Sequence, residues 1–331
     1  MKSRGGAHCA GNLTFARMEP VRIALVAPCF EEGEVALRFL AEAEAVMART
    51  SARWTVIMVD DASADNTLEL LRAYSITAPN VTLDVISLAY NMGHQEAIYQ
   101  GLLRASTTGA THHVVMDSDG EDDPEALAEL ARMAAEGAAP IVLVARGKRS
   151  ESLMFRLGYR CYQLLFRAIT GRTISFGNYS MIDRRILQAV LDRSFVHYAA
   201  FLSRQRAASR MITYDRRKRI DGRSKMSLRS LSMHAFRALI EYSDEVLLLF
   251  LRAFIGLAVV LLASLLVILG IKLFTTSAIP GWASTLSVSL FNSMLLCIGF
   301  FAIGLLLVSA SQRRERAGRH LYTVADQSAK P

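Results

Sequence analysis

Two acidic residues, Asp117 and Asp119, directly follow the apolar run His113–Met116. Carboxylates at i and i+2 in a turn after a strand can share one hard divalent cation. Mg²⁺ or Mn²⁺ suits such a pair, because both prefer oxygen ligands and bridge phosphates to one or two carboxylates. Glu121 offers a third oxygen. Asp122, Asp123 and Glu125 answer a plainer need, since acidic side chains favour a helix N-terminus through its dipole. Asp117 sits too close to the strand for that role. Asp60 and Asp61 form a second acidic pair after another apolar run. They can hydrogen-bond a nucleobase or ribose, or cap the helix that follows, although Ser63 or Asp65 can cap it alone. The chain has no Gly-x-Gly-x-x-Gly and no Gly-x4-Gly-Lys-Ser/Thr sequence, which argues against dinucleotide-binding dehydrogenases and P-loop ATPases.

These residues need a scaffold that presents them together. Strand-like runs occur at Arg22–Ala27, Trp54–Val59, Val81–Ser87, His113–Met116 and Ile141–Ala145. Helical patterns alternate with them at Glu34–Arg49, Asp65–Tyr74, His94–Arg104 and Pro124–Glu136, the last with Asp123 as N-cap. This alternation predicts an α/β fold built on a mostly parallel, Rossmann-like sheet. In such sheets ligands bind beyond the carboxyl ends of the strands. The polar clusters fall there: Pro28-Cys29-Phe30-Glu31-Glu32, Asp60-Asp61-Ala62-Ser63, Asn91-Met92-Gly93-His94-Gln95, Asp117-Ser118-Asp119-Gly120-Glu121, and Arg146 with Arg149. Five clusters on one edge outline a site.

From Ser150 to about Val246 basic residues dominate, and amphipathic stretches replace strands. Arg156, Arg160, Gln163 and Arg167 recur at helical spacing, and so do Leu228, Leu231, Ala235, Leu239, Tyr242 and Val246. Such helices pack on a core or lie in a membrane interface, and the apolar sequence that follows favours the interface. Ala253–Leu273 and Leu286–Ala310 each have the length and composition of a membrane span. Hydrophobic residues make up 52% of the chain and the mean hydropathy is +0.26, in keeping with segments that meet lipid.

The net charge is +8, which favours anionic partners. Ten basic residues lie between Arg204 and Arg229, and Arg313, Arg314, Arg316 and Arg319 follow the second span, while the connecting loop has no charge. The positive-inside rule puts both ends and the α/β domain in the cytoplasm. It also assigns the excess charge to lipid headgroups rather than to nucleic acid. The four cysteines, Cys9, Cys29, Cys161 and Cys297, are far apart and suggest neither a disulfide framework nor a zinc site. The expected organisation is an N-terminal extension over 1–20, disordered and lacking a signal-peptide apolar run, then a domain over 21–225. A juxtamembrane amphipathic helix over 226–250, a two-helix anchor over 251–312 and a basic tail over 313–331 follow.

Taken in order, these motifs make the chain resemble the inverting family 2 glycosyltransferases with the A-type fold. It is most similar in pattern to the polyprenyl-phosphate glycosyltransferases that include dolichol-phosphate mannose synthase and bactoprenol glucosyltransferase. The likeness runs from about Val21 to Ala310 through Pro28–Glu32, Asp60–Thr67, Asn91–Gln95 and Asp117–Glu121. It continues through Arg146/Arg149, Gly177-Asn178-Tyr179-Ser180 and Arg219-Ile220-Asp221-Gly222-Arg223-Ser224-Lys225. The pattern departs from the family at Phe30 and Glu31, where Tyr and Asn are usual, and at Glu121, where Gln is frequent. The Gln-x-x-Arg-Trp signature of processive synthases is absent.

The resemblance implies transfer of a sugar from a nucleotide-sugar to a polyprenyl phosphate such as undecaprenyl phosphate at the cytoplasmic membrane. A UDP-sugar is favoured and GDP-mannose is the alternative. Asp117, Asp119 and Glu121 would hold Mg²⁺ or Mn²⁺. Pro28, Phe30, Glu32, Asp60, Asp61, Asn91, Gln95 and Ser118 would bind the donor. Arg146 and Asn178 would act beside the metal residues. Arg219, Ser224 and Lys225 would hold the lipid phosphate, with membrane headgroups as the other claimant for the two cations. Rival readings are a non-catalytic nucleotide-binding scaffold, a lipid-carrier transporter and a transferase with a non-lipid acceptor. Association through the spans into a homo-oligomer is compatible with the sequence.

Overall fold

A computed structural model describes residues 20–147, 164, 167, 176–193, 195–215, 217, 240–275, 281–312 and 322–324. The elements run β1 (Arg22–Cys29), α1 (Gly33–Met47), β2 (Arg53–Asp60), α2 (Thr67–Ala73), β3 (Val81–Leu88), α3 (His94–Ala105), β4 (His112–Val115), α4 (Ala126–Ala135) and β5 (Ile141–Arg146). Then come β6 (Phe176–Asp183), α5 (Arg184–Arg193), α6 (Tyr198–Arg204), β7 (Ser209–Tyr214), α7 (Ser243–Phe274), α8 (Trp282–Gln312) and β8 (Tyr322–Val324).

The strands form one eight-stranded sheet in the order β7-β5-β6-β4-β1-β2-β3-β8. The pairs β1·β2, β2·β3, β1·β4 and β5·β7 are parallel. Strand β6 is antiparallel to both β4 and β5, and β8 is antiparallel to β3. The sheet is mostly parallel, as expected, with β6 and β8 as its antiparallel members. The structure corrects the reading that strands cease after residue 150, since β6 and β7 lie there.

Both faces of the sheet are covered. Ile23, Leu25 and Ala27 of β1 enter a core shared with α1 and α4, through Phe39, Leu40, Leu127 and Leu130. Ala24 and Val26 enter a second core with Ile98 and Leu102 of α3, Val190 of α5 and Tyr198 of α6. Strands buried on both faces read as continuous apolar runs, which is why β1 and β2 stand out in the sequence. Helix α3 lies close to the sheet at Gly101, where a Cβ would stand 2.4 Å from Val26 and 2.8 Å from Val59.

Helices α7 and α8 are long and apolar enough to cross a membrane. At 1.5 Å per residue, the 32 residues of α7 span about 48 Å, more than the ~30 Å of a bilayer's hydrocarbon. The first turns of α7, with Asp244, Glu245 and Arg252, thus have room to stand outside it. The two amphipathic stretches expected before the spans lie mostly outside the described residues.

Candidate active site

The loops at the carboxyl edge of the sheet are sewn to one another. Glu31, after β1, and Ala62, after β2, adopt φ of +50° and +55°. Non-glycine residues pay strain in that region and hold it only where neighbours fix them. Here the neighbours are hydrogen bonds. The Glu31 amide donates to Ser63 Oγ at 2.9 Å, the Asp61 amide to the Cys29 carbonyl at 3.0 Å, and the Gly33 amide to Thr67 Oγ1 at 2.8 Å. Asp65 Oδ1 accepts the Thr67 amide at 3.0 Å, so the start of α2 is secured without Asp60 or Asp61. Buried Ser118, in the loop after β4, donates from Oγ to the Pro28 carbonyl at 2.6 Å and lies 2.5 Å from Glu32 Oε2.

Asp60 and Asp61 are 1% and 4% exposed. Asp60 accepts the Ser63 amide at 3.3 Å and Ser87 Oγ at 3.1 Å. Asp61 accepts the Met92 amide at 2.7 Å and the Gly93 amide at 2.9 Å. Gly93 has φ +86°, the left-handed region a glycine enters at no steric cost, and this presents both amides to one carboxylate. Burial raises the Asp61 pKa, Asp60 adds to the rise, and the two amides and His94 oppose it.

Next to this brace sits a polar triangle. Asp117 Oδ1 is 3.2 Å from His94 Nε2 and 3.5 Å from Asn178 Nδ2, and Asn178 Nδ2 is 2.9 Å from His94 Nε2. Burial works against the charged imidazole, but the Asp117 carboxylate, aided by Glu32 and Asp119, outweighs it and raises the His94 pKa. Asp119 Oδ1 accepts the Glu121 amide at 3.0 Å, which curls the loop. The Glu121 carbonyl accepts the Arg217 amide at 2.9 Å, and Arg217 pairs with Glu42 at 2.6 Å. Arg217 therefore lies beside the Asp117–Glu121 loop.

The structure brings Pro28, Glu32, Asp60, Asp61, Ser118, Asp117, Asp119, Glu121 and Asn178 to one sheet edge. Phe30 and Asn91 are exposed on its rim. Gln95 is 7% exposed, and its Oε1 accepts the Tyr198 amide at 2.6 Å, so its carbonyl faces α6. Arg146 ends β5 in register with Tyr214. Arg149, Arg219, Ser224 and Lys225 lie outside the described residues. Sequence reading placed His94 in a polar cluster but gave it no role; the signal was its position at the first turn of a helix after a strand end.

Among the described residues no group of three or more His, Cys, Asp and Glu could hold a metal ion by itself. A hard cation held by Asp117 and Asp119 would have to take its other oxygens from a phosphate ligand and water, as Mg²⁺ and Mn²⁺ do. The two carboxylates do not make a closed cage.

The chain matches the family model "Glycosyl transferase family 2" over residues 24–202. It is 26% identical over 297 residues to the uncharacterized glycosyltransferase YkcC of Bacillus subtilis (strain 168), covering 86% of this chain and 88% of that one. It is 28% identical over 297 residues to the undecaprenyl-phosphate 4-deoxy-4-formamido-L-arabinose transferase of Yersinia enterocolitica, covering 86% of each. Against the enzyme of the same name from Yersinia pestis (strain Pestoides F) the match spans 65% of that chain's length. Among solved structures, mannosyl-3-phosphoglycerate synthase from Rubrobacter xylanophilus superimposes with a TM-score of 0.50 at 16% identity, over 68% of this chain and 73% of that one. That likeness concerns the fold. The match of more than half the chain to the family model, on a sheet edge that gathers its acidic loops, makes this protein a member of glycosyltransferase family 2.

Proposed function

We propose that the protein transfers a sugar from a nucleotide-sugar, preferably a UDP-sugar, to a polyprenyl phosphate at the cytoplasmic face of a membrane, with inversion at the anomeric carbon. One observation carries the reading: the Asp117–Asp119 loop, the Asp60–Asp61 loop and Asn178 converge at one edge of a domain whose chain continues into two apolar helices. The names of the Yersinia relatives support undecaprenyl phosphate as the acceptor class.

In this mechanism an oxygen of the lipid phosphate forms a bond to the anomeric carbon as the bond to the nucleoside diphosphate breaks on the opposite face. A phosphate monoester has a second pKa near ~6, so the nucleophile is already largely anionic and no strong base is required. The demands are alignment and stabilisation of the departing diphosphate. Asp117 and Asp119 would hold Mg²⁺ or Mn²⁺, which supplies positive charge to that diphosphate. Asn178 and His94 fix the Asp117 carboxylate. The loops bearing Pro28, Phe30, Glu32, Asp60, Asp61, Asn91, Gln95 and Ser118 form the donor pocket. Arg146 sits at the same sheet edge. Arg219, Ser224 and Lys225 hold the acceptor phosphate, because ammonium and guanidinium donors suit it; two residues before Arg219, the Arg217 amide donates to the Glu121 carbonyl.

The test uses the full chain in detergent with undecaprenyl phosphate, Mg²⁺ or Mn²⁺, and a panel of UDP- and GDP-sugars. Nucleoside diphosphate release with a new sugar-lipid mass is expected, falling ~10²–10³-fold in Asp119→Ala. Metal-dependent donor hydrolysis without a sugar-lipid would remove the acceptor assignment. Nucleotide binding without any turnover would favour a non-catalytic scaffold.

A further inference from the structure

The short helix α6 is buried along most of its length and touches both the active site and the first membrane helix. Residues Tyr198–Leu202 are all buried. On the site side, the Tyr198 amide donates to Gln95 Oε1 at 2.6 Å, one residue from His94. The Tyr198 hydroxyl lies 3.3 Å from Ser180 Oγ, which in turn donates to the Asn178 carbonyl at 3.0 Å. Thus α6 contacts the neighbours of both residues that face Asp117. On the membrane side, Arg204 binds the Glu241 carbonyl, pairs with Asp244 at 2.9 Å and Glu245 at 3.6 Å, and stacks its guanidinium 5.6 Å from the Tyr242 ring centre. Ser203 bonds the Tyr242 hydroxyl, and Tyr242 is fully buried. The Glu241 carboxylate reaches the other end of α6, accepting the Val196 amide at 2.9 Å. The segment that starts α7 therefore grips α6 at both ends.

We propose that Arg204 is a positioning residue for transfer: it transmits the seating of α7 in the bilayer through α6 to His94, Asn178 and Asp117. An arginine joined to a carbonyl, two carboxylates and a ring makes a stiff joint, because its planar fork is held in several directions. The side chain is 28% exposed, so solvent screens these contacts only in part. The inference rests on the proposed transfer reaction, and its test separates the two.

The full chain is placed in nanodiscs of phosphatidylethanolamine and phosphatidylglycerol containing undecaprenyl phosphate. Arg204→Gln, Tyr198→Phe, their double variant and Arg204→Lys are compared with the parent. Transfer kcat is expected to fall roughly 5- to 20-fold in each of the first two, with nucleoside diphosphate Kd held within about twofold. The double variant should fall no further than the worse single, since both lie on one path, and Arg204→Lys should recover part of the loss. Multiplying losses in the double, or a Kd that weakens in step with kcat, would overturn the proposal. Hydrogen exchange supplies a readout independent of turnover. Arg204→Gln should speed exchange at Met92–Gln95 and at Asn178–Ser180 while β1 and β2 stay unchanged. Unaltered exchange there would overturn the proposal whatever the activity. A parent that transfers no sugar, with exchange still responding to Arg204→Gln, would sink the reaction and keep the joint.

Discussion

Asp60 and Asp61 are neighbours in sequence and both are buried, yet they meet different partners. Asp60 accepts from a hydroxyl and an amide, whereas Asp61 has one oxygen on each of two consecutive amides. Asp61→Asn replaces one acceptor by an NH₂ that faces an N–H donor. Leaving a buried donor unpaired costs about 1–3 kcal/mol, so the variant should lower the melting temperature and weaken nucleotide binding together. Calorimetry on the two proteins measures both. A second residue gives a pH signature. His113 is 1% exposed, and burial, with His112 and Arg184 acting the same way, lowers its pKa from 6.5 to about 4. The unfolded chain then binds the proton first. Stability from this group is complete above about pH 6.5 and is lost as pH falls toward about 4, with a slope of up to ~1.4 kcal/mol per unit. His113→Leu should flatten that slope, seen as a smaller fall in melting temperature between neutral and mildly acidic buffer. An unchanged slope would show that His113 does not carry it.

At the scale of elements, the join between α3 and the sheet decides how well the β3–α3 loop is held. Alanine at Gly101 gains up to ~1 kcal/mol of helix propensity. Its Cβ, however, would stand 2.4 Å from Val26, and overpacking of this kind costs about 1–3 kcal/mol. The clash outweighs the propensity, so Gly101→Ala should destabilise the protein and shift His94; a rise in melting temperature would contradict this packing. The same packing explains what could be read from sequence. Strands β1 to β5 were legible, within one or two residues at their ends, because each runs between two covered faces or ends in a polar cluster. Strand β6 was not, since Gly177, Asn178 and Ser180 interrupt its apolar residues. Tyr179 and Met181 serve one core, and Ile182 the other. Strand β7 lies at the sheet edge and is largely exposed, so no apolar run marks it. Asp123 was expected as the N-cap of α4, but its carboxylate accepts the Glu125 amide in the preceding turn, and the helix begins at Ala126. The acidic loops were legible because strand ends are where such sheets bind ligands. The α6 joint was not, because its partners lie far apart in sequence, as Gln95 and Tyr198 do.

For the whole molecule, the last described strand constrains topology. Helix α8 ends at Gln312, yet Tyr322–Val324 pairs with Leu88, Ser87 and Ile86 at the edge of β3. The chain leaves the domain into α7 and comes back to it after α8. A strand that completes the sheet must share its compartment, so if the two helices cross a membrane they do so as a hairpin with both outer ends on the domain's side. The arginine clusters at those ends support the proposal that this side is the cytoplasm, through the positive-inside rule. Strand β8 also covers an edge that would otherwise offer unpaired backbone groups, and it does so at Ser87, whose hydroxyl holds Asp60. Labelling with a membrane-impermeant thiol reagent tests this arrangement. Thr275→Cys, at the end of α7, should react in intact cells. Ser328→Cys, beyond β8, should react only in inside-out vesicles. Reaction of Ser328→Cys from outside the cell would place the tail across the membrane from the catalytic sheet, and β8 could not then pair with β3.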